Sequence, residues 1–160
     1  MLRWLGVSAL VILLDQLTKQ AVMRAMELGD QIPVLPVLSW VRWHNTGAAF
    51  SMFHDVGGLQ RWFFVALAVG FAIFLVVELR RLPVGNRLMA LVYALILGGA
   101  LGNMLDRLFL GYVVDFVLVH YGDWYFPAFN VADSALTVGA GLWLLLMLFE
   151  TLEHRRRARE

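Results

Sequence analysis

Three stretches of this 160-residue chain carry no charge: Trp62 to Val77, Leu88 to Leu105 and Ser134 to Phe149, each 16 to 18 residues long. A helix that crosses a bilayer needs about 20 predominantly apolar residues, so each stretch with its interfacial flanks is long enough to span. Hydrophobic residues make up 61% of the chain and charged ones only 16%, far from the balance of a water-soluble domain. The 13 basic and 12 acidic residues leave a net charge of +1, which supplies no field for holding nucleic acid. With no cysteine in the chain, disulfides, thiol nucleophiles and thiolate metal sites are excluded, and any chemistry falls to oxygen and nitrogen groups.

The first apolar segment is less simple. Its run from Trp4 to Leu14 is broken by Asp15-Gln16-Leu17-Thr18-Lys19 and resumes at Ala21, Val22 and Met23. Met-Leu-Arg and an apolar run look like the start of a signal peptide, but no small-x-small cleavage site follows. If the helix continues to about Met26, Asp15 and Lys19 fall at i and i+4 on one face and can pair. The expectation is therefore an all-α membrane protein of one domain over residues 1–160. Its four transmembrane helices are placed at about 4–26, 61–78, 88–107 and 131–150, with outer loops at about 27–60 and 111–130.

Arginine placement sets the orientation. Arg3, the Arg80, Arg81 and Arg87 turn, and Arg155, Arg156, Arg157 and Arg159 gather on one side, against Arg24, Arg42, Arg61 and Arg107 on the other. Both termini are predicted cytoplasmic, Pro83 and Gly85 mark a short inner turn, and the C-terminal arginines suit anionic headgroups. In the first outer loop, Val37 to His44 reads as an extended strand, with Val37, Val41 and Trp43 on one side and Leu38, Trp40 and Arg42 on the other. Phe116 to Phe126 has a similar pattern around a Gly122-Asp123 turn, so a small sheet is expected. No internal repeat is present.

Ionisable groups within spans are costly, so their depth matters. At about 1.5 Å per residue, Asn103 and Asp106 lie roughly 24 and 29 Å from Arg87, and Asp133 roughly 26 Å from Glu150. The same arithmetic puts Asp15 and Lys19 roughly 18 and 24 Å from Arg3. All of them converge near the outer edge of a core about 30 Å thick, within reach of Asn45 and Asp115 from the loops. Hydrogen bonding between helices accounts for Asn103, for Asp106 with Arg107 and for Asp15 with Lys19. Asp115 and Asp133 have no basic residue three or four positions away, and such carboxylates at a membrane edge suggest chemistry.

Five segments in order now resemble one family: Asp15 to Lys19, Asn45-Thr46-Gly47-Ala48-Ala49-Phe50, Gly102-Asn103-Met104-Leu105-Asp106-Arg107, Val114-Asp115-Phe116 and Phe129-Asn130-Val131-Ala132-Asp133. They resemble the motifs of the lipoprotein signal peptidases (signal peptidase II) of bacteria, from residue 15 to about 137, with no departure at a motif position. Each motif alone is common; five in register are specific. The resemblance implies an aspartyl endopeptidase of the bacterial inner membrane that cleaves prolipoproteins just before a diacylglyceryl-modified cysteine. It implies a dyad at Asp115 and Asp133, supported by Asp15, Lys19, Asn45, Gly47, Asn103, Asp106, Arg107 and Asn130. It further implies a small extracytoplasmic β-sheet that cradles the substrate, with no cofactor.

The chemistry matches those residue types. Hydrolysis without a metal or covalent intermediate needs a base to activate water and an acid for the departing amine, and two carboxylates sharing one proton supply both. Which of the two is the base stays open. The lipid-modified cysteine and the signal peptide are both held in the membrane, so substrate should arrive laterally. Gly98, Gly99, Gly102, Gly139 and Gly141 give room between helices, for close packing or for a peptide. Trp40, Trp43, Phe50 and Phe53 would lie on the headgroups as a lid.

His44, His54 and His120 lack short metal-ligand spacing, so no metal is expected. Ser8, Ser39, Ser51 and Ser134 lack a nucleophile-elbow context, and Lys19 is explained by Asp15, which disfavours a Ser-Lys peptidase. A proton-coupled transporter using Asp15, Asp106 and Asp133 would show paired repeats and a mid-membrane site, and neither is present. A membrane chaperone whose carboxylates merely join helices would respond to Asn at positions 115 and 133 in stability rather than in turnover.

Overall fold

The computed structural model describes residues 1–47 and 58–158, so the expectations for Phe50, Ser51, Phe53, His54 and Arg159 lie outside the described residues. Four helices, α1 (Leu5–Ala25), α2 (Leu59–Arg81), α3 (Arg87–Phe109) and α4 (Val131–Arg157), are each long and apolar enough to cross a membrane. A 3-10 turn over Leu2–Trp4 precedes α1. Inside hydrocarbon each span must satisfy its own backbone, which is why these runs are helical.

α1 is inverted relative to a helix of a soluble bundle. On α1 the buried residues are Ser8, Val11, Asp15 and Lys19, a single stripe at helical spacing, while Leu10, Leu13, Leu14 and Leu17 face outward. The stripe lies against α3, where the Ser8 hydroxyl donates to the Ala94 carbonyl at 2.8 Å. Close approach is made possible by glycine. A Cβ on Gly98 would come 2.7 Å from the Val11 Cβ, and one on Gly102 would come 2.8 Å from the Asp15 carboxylate. Gly99 meets Ala132 and Leu136 of α4, and Gly139 meets Ile96 of α3. Gly141, expected to serve the same purpose, faces open space because α4 has turned that position away from α3.

Four strands form one antiparallel sheet in the order β1 (Gln31–Leu35), β2 (Leu38–Asn45), β3 (Val113–Tyr121) and β4 (Trp124–Tyr125). The pairing of β2 with β3 joins the loop after α1 to the segment after α3. β1 was not foreseen. It carries Pro33, all five of its residues are exposed, and Pro is tolerated there because β1 is an edge strand.

The expected faces of β2 need correction. Trp43 does not share a side with Val41: Val41 is fully buried, while Trp40 and Trp43 are both exposed. The β2–β3 register shifts between Trp40 and Trp43, and this bulge reverses the alternation. The third helix ends at Phe109, where Gly111 with φ +88° returns its N–H to the Asp106 carbonyl. Asp115 is therefore carried by β3 rather than by an extra helical turn.

Candidate active site

The end of α4 that faces the sheet is held by side chains. Asn130 is the N-cap of α4: its side-chain oxygen accepts from the Asp133 N–H at 2.9 Å, and the Asp133 Oδ2 accepts from the Asn130 N–H at 3.2 Å. This reciprocal capping box fixes the Asp133 carboxylate at the first turn. Asp15 reaches across from α1 and accepts from the Ala132 N–H at 2.9 Å, so two carboxylates sit at the positive end of α4.

Lys19 is 1% exposed and uses its ammonium fully. It contacts Asp15 at 2.8 Å, Asp106 at 2.9 Å and the Asn103 side-chain oxygen at 3.0 Å. The expected Asp15–Lys19 pair is present. The expected Asp106–Arg107 pair is not: Asp106 meets Lys19, and adjacent helical residues point to different faces. Arg107 instead donates to the Asn103 carbonyl at 3.3 Å and lies 4.8 Å above the Phe64 ring. Asp106 also accepts from the Val114 N–H at 3.0 Å, which ties the start of β3 to α3. Gln16, overlooked as a site residue, bridges Asp106 at 2.9 Å and Asp15 at 3.2 Å. Its signal in the sequence was only its place beside Asp15.

From this ionic centre two amides lead to the unpaired carboxylates. Asn103 donates to Asp133 Oδ1 at 2.7 Å, and Asn130 donates to Asp115 Oδ1 at 2.8 Å and to Asn103 Oδ1 at 3.2 Å. Asn45 donates to Asp115 Oδ2 at 3.0 Å while its own oxygen accepts from the Gly47 N–H at 2.8 Å. Gly47 has φ +82°, and a Cβ there would press on Phe64 and Gln60, so both conformation and space call for glycine. Among the described residues neither Asp115 nor Asp133 has an ion-pair partner. Burial pushes the Asp115 carboxyl up to about 6, the Asp133 charge adds to the rise, and the Asn45 and Asn130 hydrogen bonds and Lys19 oppose it.

A cleft of about 510 Å³ opens beside Asp133, between Phe126 to Phe129 of the chain entering α4, Asn45 of β2, and Thr137 and Val138 of α4. His44 and His120 take no part in this network. His44 stacks on Tyr112 at 3.7 Å, with its pKa lowered by burial and by Arg42, and His120 contacts the Ser39 hydroxyl at 3.0 Å. Ser39 and His44 are five residues apart on β2, roughly 17 Å along the strand.

A family model described as Signal peptidase (SPase) II matches residues 7–149. The chain belongs to the signal peptidase II family. Proteins called lipoprotein signal peptidase from Teredinibacter turnerae and Pseudomonas aeruginosa strain PAO1 are 50% identical over 150 residues and 51% identical over 148. These alignments cover 94% and 91% of this chain and 89% and 88% of those proteins. A solved bacterial membrane enzyme, 33% identical, superposes with a TM-score of 0.82 over 93% of this chain and 89% of that one. As a signal peptidase II, this multi-pass membrane protein is an aspartic-type peptidase that removes signal peptides from prolipoproteins.

Proposed function

We propose that Asp115 and Asp133 are the catalytic dyad of this peptidase, with Asp133 as the base and Asp115 as the acid. The observation that carries the assignment is Asn130, which donates its backbone N–H to Asp133 and its side-chain amide to Asp115. Asp133 lies in the first turn of α4, where the helix dipole and a backbone N–H favour its ionised form. Asp115, buried on β3 with its pKa raised to about 6, holds a proton more readily than an ordinary carboxyl, which suits the acid.

The steps balance. Water adds its oxygen to the scissile carbonyl carbon and gives a proton to Asp133, while the Asp115 proton passes to the carbonyl oxygen. The diol then collapses: the C–N bond breaks, the Asp133 proton goes to the departing nitrogen, and a hydroxyl proton returns to Asp115. Asn103, Asn130 and Asn45 hold the carboxylates at fixed orientation, so little reorganisation accompanies the reaction.

Asp15, Lys19, Asp106 and Arg107 are supporting groups that fix α1, α3 and α4 around the dyad, and Gly47 lets the chain turn beside Asn45. The substrate is a prolipoprotein whose cysteine carries a diacylglyceryl group. Its acyl chains stay in the membrane while the bond to be cut lies in the cleft beside Thr137 and Val138. The sheet end of the bundle faces outward, and both termini with Arg3, Arg80, Arg81 and Arg155 to Arg157 face the cytoplasm. Trp40 and Trp43 rest on the outer headgroups, a placement supported by their shared exposure. Purified protein would be given the lipidated and unlipidated precursor, beside folded Asp115→Asn and Asp133→Asn. Cleavage before the modified cysteine, lost in both variants, is expected; normal turnover in either variant would remove it from the dyad.

A further inference from the structure

α1 and α2 pack principally on α3 rather than on each other, and between them they leave a groove of about 520 Å³ lined by neither Asp115 nor Asp133. Ala9 and Ile12 of α1 and Ala72 of α2 form its walls, and Leu97 of α3 lies at its floor. Leu5 of α1 and Ile73, Val76 and Val77 of α2 add to its apolar lining. Ser8 also lines it, but the Ser8 hydroxyl already donates to Ala94.

One charged residue lines the groove, Arg80. It is about 32 Å along α2 from Leu59, at headgroup level for a core about 30 Å thick, and Ala72 lies about 12 Å further in. The neighbouring acid, Glu78, is taken by Arg81 at 3.1 Å, and Arg80 has no partner among the described residues. The groove thus offers an unpaired cation at the headgroup and an apolar slot leading inward, with no free polar group for a peptide backbone.

We infer that this groove binds an anionic glycerophospholipid of the leaflet opposite the dyad, its phosphate on Arg80 and one acyl chain between α1 and α2. Charge selects the lipid, because a zwitterionic headgroup carries its own cation and gains less from the arginine. The inference stands apart from the aspartate chemistry and does not require it.

Full-length protein in detergent would be equilibrated with phosphatidylglycerol and phosphatidylcholine of identical chains, and retained lipid read by native mass spectrometry. Phosphatidylglycerol is expected to be held roughly fivefold more tightly, the effect of one arginine near a lipid phosphate. Arg80→Gln should bring the two lipids near parity, Arg81→Gln should not, and Ala9→Trp should reduce retention of both. Precursor cleavage should persist in Arg80→Gln, which is remote from the dyad. Equal retention by wild type, or an equal loss in Arg81→Gln, would overturn the inference. So would a dimer that Ala9→Trp converts to monomer, since a second copy would then fill the groove.

Discussion

The side-chain amide of Asn130 donates to Asp115 at 2.8 Å, the same residue whose backbone N–H donates to Asp133 at 3.2 Å. One asparagine therefore caps α4 and sets the orientation of both carboxylates. Replacing it by Ser should keep the cap but lose the link to Asp115, lowering turnover by roughly 5- to 150-fold, the effect of about 1–3 kcal/mol. Melting temperature should change little, whereas Asn130→Ala should lose turnover and about 1 kcal/mol of stability together. Turnover and thermal unfolding measured on the same samples separate the two.

The acid role proposed for Asp115 gives a pH dependence with a definite sign. Its proton is lost as pH rises through about 6, so kcat/KM should fall on the alkaline side with that apparent pKa in the free enzyme. Asn45 donates to the ionised carboxylate, so Asn45→Ala should raise this pKa and move the limb to higher pH. A limb that moved to lower pH, or stayed in place, would contradict the assignment.

The same shift affects stability. The folded-state pKa of Asp115 lies above its ordinary 3.8, so its contribution is fully present below about 4 and is lost as pH rises through about 6. Thermal melts across that range should show a decline in wild type that is weaker in Asp115→Asn.

Lys19 holds two buried carboxylates, Asp15 and Asp106. Lys19→Met leaves both without a cation and should cost about 3–5 kcal/mol, the usual penalty for breaking a buried pair from one side. Adding Asp106→Asn should recover part of it. Thermal unfolding in detergent is the measurement, and a Lys19→Met protein as stable as wild type would show that the centre contributes nothing.

Helix contact makes a contrast between two glycines. Gly98→Val would push against Val11 and the Ser8 carbonyl, both close to where its Cβ would lie, and should lower the melting temperature by several degrees. Gly141→Ala meets nothing within 4 Å and should be neutral or slightly stabilising.

The spans were legible in the sequence because each apolar run satisfies its own backbone and needs no partner to declare itself. That the polar residues meet was also legible. A constant rise per residue places Asp15, Asn103, Asp106 and Asp133 at similar distances along their helices once the spans are known. The Asp15–Lys19 contact followed from helical spacing alone, and the five ordered motifs carried the family. Strand β1 escaped notice because its pairing with β2 outweighs the unfavourable signal of Pro33, and pairing is not a local property. The bulge that turns Trp43 outward is likewise a matter of register between strands from distant parts of the chain.

What tertiary structure alone decided is who faces whom across the bundle. Sequence offered Arg107 as the neighbour of Asp106, but helix rotation gave Asp106 to Lys19 and left Arg107 over Phe64. It gave no hint that Gln16 joins Asp15 to Asp106, or that Asn130 touches both Asp115 and Asp133. Depth along a helix is set by residue number, whereas partnership depends on the rotation and spacing of several helices at once, and these are fixed only when glycine contacts, caps and buried charges are satisfied together.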